Sequence, residues 1–274
     1  MEEAVRIARE LVELNNERKA LTELGVEEAI AYYEEHGCEK DAVVVLYLPE
    51  VHESIAGIIA GRIREKYYKP IFVLTNADDG GVKGSGRSIS EYHMYEQMCK
   101  CQELFTKFGG HAMAAGLSLK KENLELFRQK INAVCTLTEE DLTEKIRIDV
   151  PMPMDYVGLD LIRELDQLEP FGRGNEQPLF AEKGLSVRSM RILGQNKNVL
   201  KFELKTPGNQ RADAIYFGDI AGCLKYIEDK FGKEALAAAL AGRENNITMS
   251  FVYQPQINAY RGNEQIQFHI KCYQ

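Results

Sequence analysis

Apolar residues recur every three or four positions through the first 24 residues, between glutamates, arginines and lysines, which is the pattern of an amphipathic helix. Gly25 predicts the end of this helix, and a second helix over residues 26–35 would end before Gly37. We therefore expect two linker helices in residues 1–40. A helix at the very start of a chain indicates either a tail that docks elsewhere or a piece of a longer protein.

Residues 41–140 alternate between strand-like and helix-like patterns. A run of β-branched residues over 42–48 predicts a buried strand, the apolar spacing over 53–67 predicts a helix, and residues 71–74 predict a second strand. Strand, helix and strand in this order form a βαβ unit. The pattern then predicts a polar glycine-rich loop (76–88), a helix (91–107), a segment of small residues (108–119) and a helix (121–134). This order predicts an α/β domain.

From Lys145 onward the apolar positions change to a period of two. Ile146, Ile148 and Val150 alternate with polar residues and predict a half-buried strand. After a predicted helix over 158–168, short alternating runs follow at 185–193, 198–204, 211–217, 246–253 and 264–273, with a helical stretch at 220–241 among them. Five or six short strands with one inserted helix predict an OB-type β-barrel, and the polar stretch 136–144 is the expected domain boundary.

Charge is distributed unevenly along the chain, whose formal net charge is −8. Residues 1–40 hold five basic and eleven acidic residues, whereas residues 181–274 hold thirteen basic and nine acidic residues, a net charge of +4. A globally acidic chain disfavours unspecific binding to polyanions, but the basic last third is compatible with local nucleic-acid binding. Ordinary surface variation would also account for a surplus of this size.

The composition excludes several classes of protein. With 45% hydrophobic and 28% charged residues, the 274-residue chain has the composition of a globular protein rather than a disordered one. Its longest apolar run, over 42–48, is far shorter than the roughly 20 residues of a membrane span, so we expect no membrane partner. The six cysteines include no CxxC pair and no leader sequence is evident, so we expect reduced thiols and a cytoplasmic location.

A glycine-rich segment at 80–88 is the first candidate for chemistry. Its glycines let backbone N–H groups approach an anion, and Lys83, Ser85 and Arg87 add donors. The guanidinium of Arg87 suits phosphate because it can donate two parallel hydrogen bonds. From Gly81 the pattern is one residue away from a Walker A loop, which leaves a P-loop nucleotidase as a minor alternative. A glycine-rich hairpin without a ligand is the other interpretation.

Small residues surround a single histidine at 109–116. This pattern predicts a backbone that is pressed close to another group, with the imidazole of His111 held at that point. A histidine with a purely structural role would give the same pattern.

Candidate metal ligands are scattered. His52 and Glu53 do not begin an HExxH motif because position 56 is alanine, so they predict the start of a helix. Asp41 and the pair Asp78–Asp79 lie beside predicted strands, but no histidine cluster accompanies them. Since a two-metal hydrolase needs several converging carboxylates and histidines, we expect no metal site in this chain.

Aromatic and basic residues are interleaved in the strand-like runs of the last third. The aromatic residues are Phe202, Tyr216, Phe217, Phe251, Tyr253, Tyr260 and Phe268. The predicted nucleic-acid-binding cations are Arg188, Arg191, Lys201 and Lys205, accompanied by Arg211, Arg261 and Lys271. Exposed aromatic rings beside cations would form a stacking platform for a single strand, although most single rings in such a barrel belong to its core.

Three blocks of sequence resemble the RecJ family of single-strand-specific DNA exonucleases, which belongs to the DHH phosphoesterase superfamily. They are His52–Ile63 (HESIAGIIAGRI), Gly84–Ile89 (GSGRSI) and Phe108–Gly116 (FGGHAMAAG). Leu168–Asn175 (LEPFGRGN) resembles the segment that opens the family's OB domain, and Leu14–Lys19 resembles the helix between its catalytic lobes. The resemblance implies a DHH-associated α/β domain over 41–140, followed by an OB domain over 141–274.

The resemblance also implies roles for two groups of residues. The 5′-terminal phosphate would be held by Gly84, Ser85 and Arg87. The scissile phosphate would be faced by Gly109, Gly110 and, in an accessory catalytic role, His111. The metal ligands of the family lie in an N-terminal DHH domain, before the start of this chain. We therefore expect Mn²⁺ or Mg²⁺ in that domain and no cofactor bound by this chain.

Two functions follow as expectations. In the first, the chain is the C-terminal, substrate-binding portion of a 5′-3′ single-stranded-DNA exonuclease of DNA repair and recombination, and its partner is the DHH catalytic domain. In the second, the chain acts alone as a single-stranded nucleic-acid-binding module. The sequence does not distinguish DNA from RNA, because no residue can be named that would read a 2′-hydroxyl group.

Overall fold

A computed structural model describes residues 2–78, 80–172, 174–194, 196–260 and 262–274 of the chain, without the side chains of Glu2 and Tyr260. The chain divides into two compact units, Met1–Lys145 and Ile146–Gln274, each with buried hydrophobic clusters of its own. Within the described ranges, every helix is too short or too polar to cross a lipid bilayer.

The first unit is built on a five-stranded sheet with helices on both faces. Its helices are α1 (Glu2–Glu35), α2 (Glu53–Tyr67), α3 (Met94–Cys99) and α4 (Leu124–Ala133). Its strands are β1 (Val44–Tyr47), β2 (Ile71–Asn76), β3 (Val82–Arg87), β4 (Phe105–His111) and β5 (Ala114–Leu119). The strand order is β1-β2-β3-β5-β4, in which β1 and β2 are parallel and all other neighbours are antiparallel. The predicted βαβ unit is therefore confirmed as β1-α2-β2.

Alternate residues of β2 face different helices. Ile71 and Val73 are buried with Ile59 of α2 on one face of the sheet. Phe72 points to the opposite face, where its ring meets that of Phe127 of α4 edge to face, with centroids 5.2 Å apart. Because both faces are covered, the strand reads as an unbroken apolar run rather than an alternating one.

Gly25 does not end the first helix, so the prediction of two separate linker helices is wrong. Gly25 lies inside the single helix α1. A β-carbon at this position would lie 2.5 Å from Cδ1 of Ile59, so the glycine lets α1 pack closely on α2. A glycine inside a helix costs about 1 kcal/mol relative to alanine, a cost that tertiary packing can offset.

Two further predictions in the first unit are wrong. The predicted loop over 76–88 contains strand β3, and the predicted helix over 91–107 contains only the short α3 before the chain enters β4. The glycines of β3 lowered its apparent strand propensity. They are needed because a β-carbon at Gly86 would lie 2.7 Å from Cε1 of Phe72 on the neighbouring strand.

The second unit is a closed barrel. Its strands are β6 (Val150–Pro151), β7 (Phe180–Leu193), β8 (Val199–Lys205), β9 (Arg211–Tyr216), β10 (Thr248–Tyr260) and β11 (Asn263–Tyr273). Its helices are α5 (Leu159–Leu165), α6 (Ile220–Phe231) and α7 (Lys233–Leu240). Strands β7, β8 and β9 form an antiparallel meander, β9 pairs in parallel with β11, and β10 joins β11 to β7. With α6 and α7 inserted between β9 and β10, this topology confirms the predicted OB barrel.

The strand predicted over 146–150 is wrong for most of its length. Only Val150–Pro151 forms a strand, which pairs with β7. Ile146, Ile148 and Val150 are 37%, 41% and 44% exposed. The alternating pattern does not produce a longer strand because no described strand pairs with residues 146–148.

Candidate nucleic-acid interface

Arg87 and His111 lie on the same face and at the same end of the sheet of the first unit. Ala114 of β5 pairs with Arg87 of β3 on one side and with His111 of β4 on the other. Residues that are directly paired across antiparallel strands project to the same face. Two strand spacings, roughly 10 Å, separate the backbones of Arg87 and His111, a distance that their long side chains can bridge.

Two more rows of paired residues extend this face. The next row consists of Ser85, Gly116 and Gly109, and the third row consists of Lys83, Ser118 and Lys107. Small residues form most of the floor, whereas three cations and the imidazole of His111 lie at its corners. Together with Glu53 and Ser54 of α2, part of this surface lines a groove of about 390 Å³. We call the nine residues of the three rows the cationic face.

The guanidinium of Arg87 is oriented from its own strand. Its Nη1 donates a hydrogen bond of 2.8 Å to the carbonyl oxygen of Gly86. Among the described residues Arg87 forms no ion pair with a carboxylate. Its positive charge is therefore available to an anion on the cationic face.

The exposed imidazole of His111 is oriented by the turn that follows it. Nδ1 of His111 accepts a hydrogen bond of 3.2 Å from the backbone N–H of Met113. Because Nδ1 accepts, the proton of the neutral ring lies on Nε2. Nε2 is thus the atom that can donate to a ligand on the cationic face.

The far end of the cationic face carries a mixed charge. Nζ of Lys83 lies 2.9 Å from Oε2 of Glu53, and the hydrogen bond from Lys83 lowers the pKa of the Glu53 carboxyl group. Lys107, across the floor, is exposed and has no carboxylate partner in the part of the chain that the structure describes. The net charge of this end is therefore positive.

At two of the glycines implied in phosphate binding, a side chain would point away from the cationic face. A β-carbon at Gly84 would lie 2.7 Å from the carbonyl oxygen of Val73, and one at Gly110 would lie 2.6 Å from Cα of Ala115. Both positions pack against the sheet itself. A β-carbon at Gly109, in contrast, would meet no atom of the described residues within 4 Å, so this glycine lies on the open floor of the cationic face.

The described residues do not fit a catalytic metal site. Asp41 pairs with Arg128, with Oδ2 and Nε 2.7 Å apart, and Asp78 is exposed. Within the described ranges, no three His, Cys, Asp or Glu side chains converge as metal ligands do. Asp79, which the sequence also suggested, lies outside the described residues, as do Arg173 and Arg261.

In the second unit, the predicted cations lie on β7 and β8, and some are paired with acids. Nζ of Lys201 is 2.6 Å from Oδ2 of Asp213, and Nη1 of Arg188 is 3.8 Å from Oε1 of Glu203. Arg191 pairs across the strands with Lys201, and Lys205 pairs with Arg211. Neither Arg191 nor Lys205 has a carboxylate partner within the described residues. The outer surface of β7, β8 and β9 therefore carries more positive than negative charge.

Most of the aromatic residues of the barrel belong to its core, which contradicts their use as a stacking platform. The buried rings are those of Phe202, Phe251, Tyr253 and Phe268, and Tyr216 is partly buried. Phe217 differs, because 57% of it is exposed.

Sequence reasoning missed Lys107 and Ser118, which complete the cationic face. The spacing of two along each strand was the signal that could have found them. It places Lys107 on the same face as Gly109 and His111, and Ser118 on the same face as Ala114 and Gly116. The small residues obscured it, because strand patterns are normally recognised from their apolar positions.

Comparisons with known proteins identify both units. Residues 40–137 match the family model of the DHHA1 domain, and residues 148–272 match that of the RecJ OB domain. The single-stranded-DNA-specific exonuclease RecJ of Bacillus subtilis is 31% identical over 211 residues, which cover 76% of this chain and 27% of that protein. RecJ of Escherichia coli is 29% identical over 277 residues, covering 98% of this chain and 45% of that protein.

A solved structure has the same fold. The crystal structure of RecJ from Thermus thermophilus in complex with Mg²⁺ superposes with a TM-score of 0.71 and 24% identity, over 96% of this chain and 37% of that one. The chain thus spans less than half the length of these relatives. It belongs to the RecJ family, of which it carries the DHHA1 and OB domains.

Proposed function

We propose that this chain is the substrate-binding portion of a metal-dependent 5′-3′ exonuclease that acts on single-stranded DNA. The observation that carries the proposal is the placement of Arg87 and His111 on either side of Ala114, on one face of the sheet. The relatives named as single-stranded-DNA-specific exonucleases support it. The catalytic DHH domain, with Mn²⁺ or Mg²⁺, would be supplied by the rest of the longer protein.

In this proposal the cationic face holds two successive phosphates of one strand. Ser85 and Arg87 hold the 5′-terminal phosphate, and the backbone at Gly84 positions them. His111 donates from Nε2 to the scissile phosphate beside Gly109 and Gly110. A donor that is fixed before the reaction stabilises the negative charge that develops on the phosphate oxygens. The small floor residues let the strand approach the sheet closely.

A binding measurement tests the phosphate role. Fluorescence anisotropy at low salt would compare oligothymidines that carry a 5′-phosphate with those that carry a 5′-hydroxyl group. We expect the wild-type chain to prefer the phosphate by about tenfold or more, since hydrogen bonds to charged groups contribute about 1.5–3 kcal/mol. Arg87→Ala should abolish the preference, whereas Lys100→Ala, on the opposite side of the sheet, should not. Equal affinities for both oligonucleotides in the wild-type chain would contradict the proposal.

An activity assay tests the division of labour between the domains. We expect this chain by itself to leave single-stranded DNA uncut in the presence of Mn²⁺ or Mg²⁺. Metal-dependent cleavage by the purified chain that His111→Ala abolishes would show that the reaction centre lies within this chain.

A second candidate function is a stand-alone single-strand-binding module, and the observation that favours it is the surplus of cations on the barrel. Binding through these cations would weaken steeply as salt is added and would not depend on the 5′-phosphate. Absence of binding at low salt would rule this function out. A P-loop nucleotidase is excluded, because the segment that resembles a P-loop is itself strand β3.

The cellular role belongs to the same proposal. A 5′-3′ exonuclease for single strands would act in DNA repair and recombination, and the cytoplasm is the compartment that suits it. All six cysteines are free thiols, which is the usual state in that compartment.

A further inference from the structure

Phe217 is an exposed aromatic ring on the outer surface of the barrel. The alternation along β9 points Ala212 and Ala214 into the core and Asp213 and Ile215 outward, and Phe217 continues the outward series. Its ring meets that of His269 at 64°, with centroids 5.4 Å apart. Since Phe217 is 57% exposed, much of the ring stays open to solvent on the side away from His269.

Basic residues lie on the strands that flank this ring. The parallel register pairs Ile215 with His269, so the next outward residue of β11, Lys271, lies beside Phe217. Lys201 pairs with Ile215 from the other side, and Arg191 pairs with Lys201. Lys271 and Arg191 are exposed, and neither has a carboxylate partner among the described residues.

The nearby carboxylates already have partners. Asp213 is paired with Lys201, so these two charges balance each other and the unpaired cations are Lys271 and Arg191. Asp219 follows the ring by two residues, and its Oδ1 accepts a hydrogen bond of 2.9 Å from the backbone N–H of Gly222 at the start of α6. Burial, together with the charge of Lys271, lowers the pKa of His269, so that its ring is neutral at pH 7 and repels no cation.

We infer that Phe217 stacks on an unpaired base of a single strand, while Lys271 on one side and Arg191 on the other bind the adjacent phosphates. An open ring with flanking cations suits a nucleotide, because every base has a flat face and every linkage a negative charge. A base inside a duplex could not present its face to the ring. The inference rests on the proposed function, and it adds a binding point in the second unit that needs no 5′-phosphate.

Fluorescence tests this inference directly, because the chain contains no tryptophan. Phe217→Trp introduces a single reporter, and we expect an oligothymidine of about ten nucleotides with a 5′-hydroxyl group to quench it by stacking. Tyr156→Trp is the matched control, since Tyr156 is 78% exposed in the same unit, outside the outward series of β9. Its fluorescence should not change.

Loss of the ring tests its contribution to affinity. Phe217→Ala should weaken binding of the same oligonucleotide about tenfold, whereas Phe217→Tyr should retain it. Thermal unfolding should change little, because the ring is mostly exposed. If Phe217→Trp is not quenched while the 5′-phosphate preference persists, the stacking inference is wrong and the proposed function stands. If both signals are absent, both proposals are wrong.

Discussion

Gly57 of α2 lies directly against the guanidinium of Arg87. A β-carbon at position 57 would be 2.8 Å from Nη2 of Arg87 and 3.4 Å from Cβ of Ser85. Helix α2 therefore determines where the arginine side chain can lie on the cationic face. A glycine at this helical position, where alanine is intrinsically better by about 1 kcal/mol, is explained by the need to leave room for the arginine.

Gly57→Ala should therefore separate binding from stability. The added methyl group displaces Arg87, and we expect the affinity for a 5′-phosphorylated oligonucleotide to fall about tenfold, or about 1.4 kcal/mol. The fold should persist, since the contact is with the far end of a flexible side chain. The control is Gly61→Ala in the same helix, where the added β-carbon would have no atom of the described residues within 4 Å. It should raise stability by about 0.5–1 kcal/mol and leave affinity unchanged. Equal affinities of the two variants would show that α2 does not position Arg87.

Gly84 and Gly109 should respond in opposite ways to the same substitution. Gly84→Ala forces a methyl group against Leu74 and the Val73 carbonyl group, and overpacking of this kind costs about 1–3 kcal/mol. The methyl group of Gly109→Ala meets no described atom within 4 Å, so stability should stay within about 0.5 kcal/mol, while the methyl group covers part of the floor of the cationic face and weakens phosphate binding. Urea denaturation and anisotropy would measure the two effects. A stable Gly84→Ala variant would contradict the packing described for β3.

The ion pair between Asp41 and Arg128 should contribute to stability. Both side chains are about one-fifth exposed, and the pair ties the segment that leads into β1 to α4. Asp41→Ala leaves Arg128 partly buried without its partner, and we expect a loss of about 1–3 kcal/mol in the free energy of unfolding. Glu140→Ala, which removes the exposed partner of Lys145, should cost less than about 1 kcal/mol. Equal losses would show that burial adds nothing to the first pair.

Alkaline pH should destabilise the first unit through Tyr33. Burial, reinforced by the neighbouring Tyr67, raises the pKa of Tyr33 to about 12. In the unfolded chain Tyr33 loses its proton near pH 10, whereas in the folded unit it does not, so stability is full below pH 10 and falls as the pH rises toward 12. Tyr33→Phe should keep the stacking on Tyr67 and reduce this loss. The measurement is the free energy of unfolding from urea titrations between pH 8 and 11. If the shift were absent, this free energy would depend on pH in the same way in the wild-type chain and in Tyr33→Phe.

Long periodic elements were predictable from the sequence. Helix α2 begins and ends at the predicted residues 53 and 67, because its apolar face is complete and Pro70 follows. The barrel strands were found because one side of each is buried, so that the period of two is visible. The resemblance of three sequence blocks to the RecJ family is confirmed by the matched domains.

Two of the errors occurred where glycine serves packing rather than a turn. Gly25 permits contact with Ile59, and Gly86 permits contact with Phe72. Helix and strand propensities alone predict that each glycine interrupts its element. The partners of these glycines lie 34 and 14 residues away, so no local pattern could reveal them.

The candidate site was predicted in part for the same reason. Arg87 and His111 were selected from their motifs, but their alignment across Ala114 depends on the order β3-β5-β4, which the sequence does not specify. Lys107 joins them only through that pairing. In the barrel, the sequence identified a set of aromatic residues but not which of them are exposed. The exposed fraction seen in the structure distinguishes Phe217 from the buried rings of the core.

Strand β4 stands at the margin of its sheet, next to β5, and no described strand pairs with its other side. An exposed edge strand of this kind can pair with strands of other molecules, and natural proteins reduce such pairing with lysines and poor strand formers at the edge. On β4 the residues that reduce such pairing are Lys107 and the consecutive glycines Gly109 and Gly110. In the proposed function, Lys107 and Gly109 therefore belong both to the surface that binds the strand and to the sheet edge that resists pairing with another molecule.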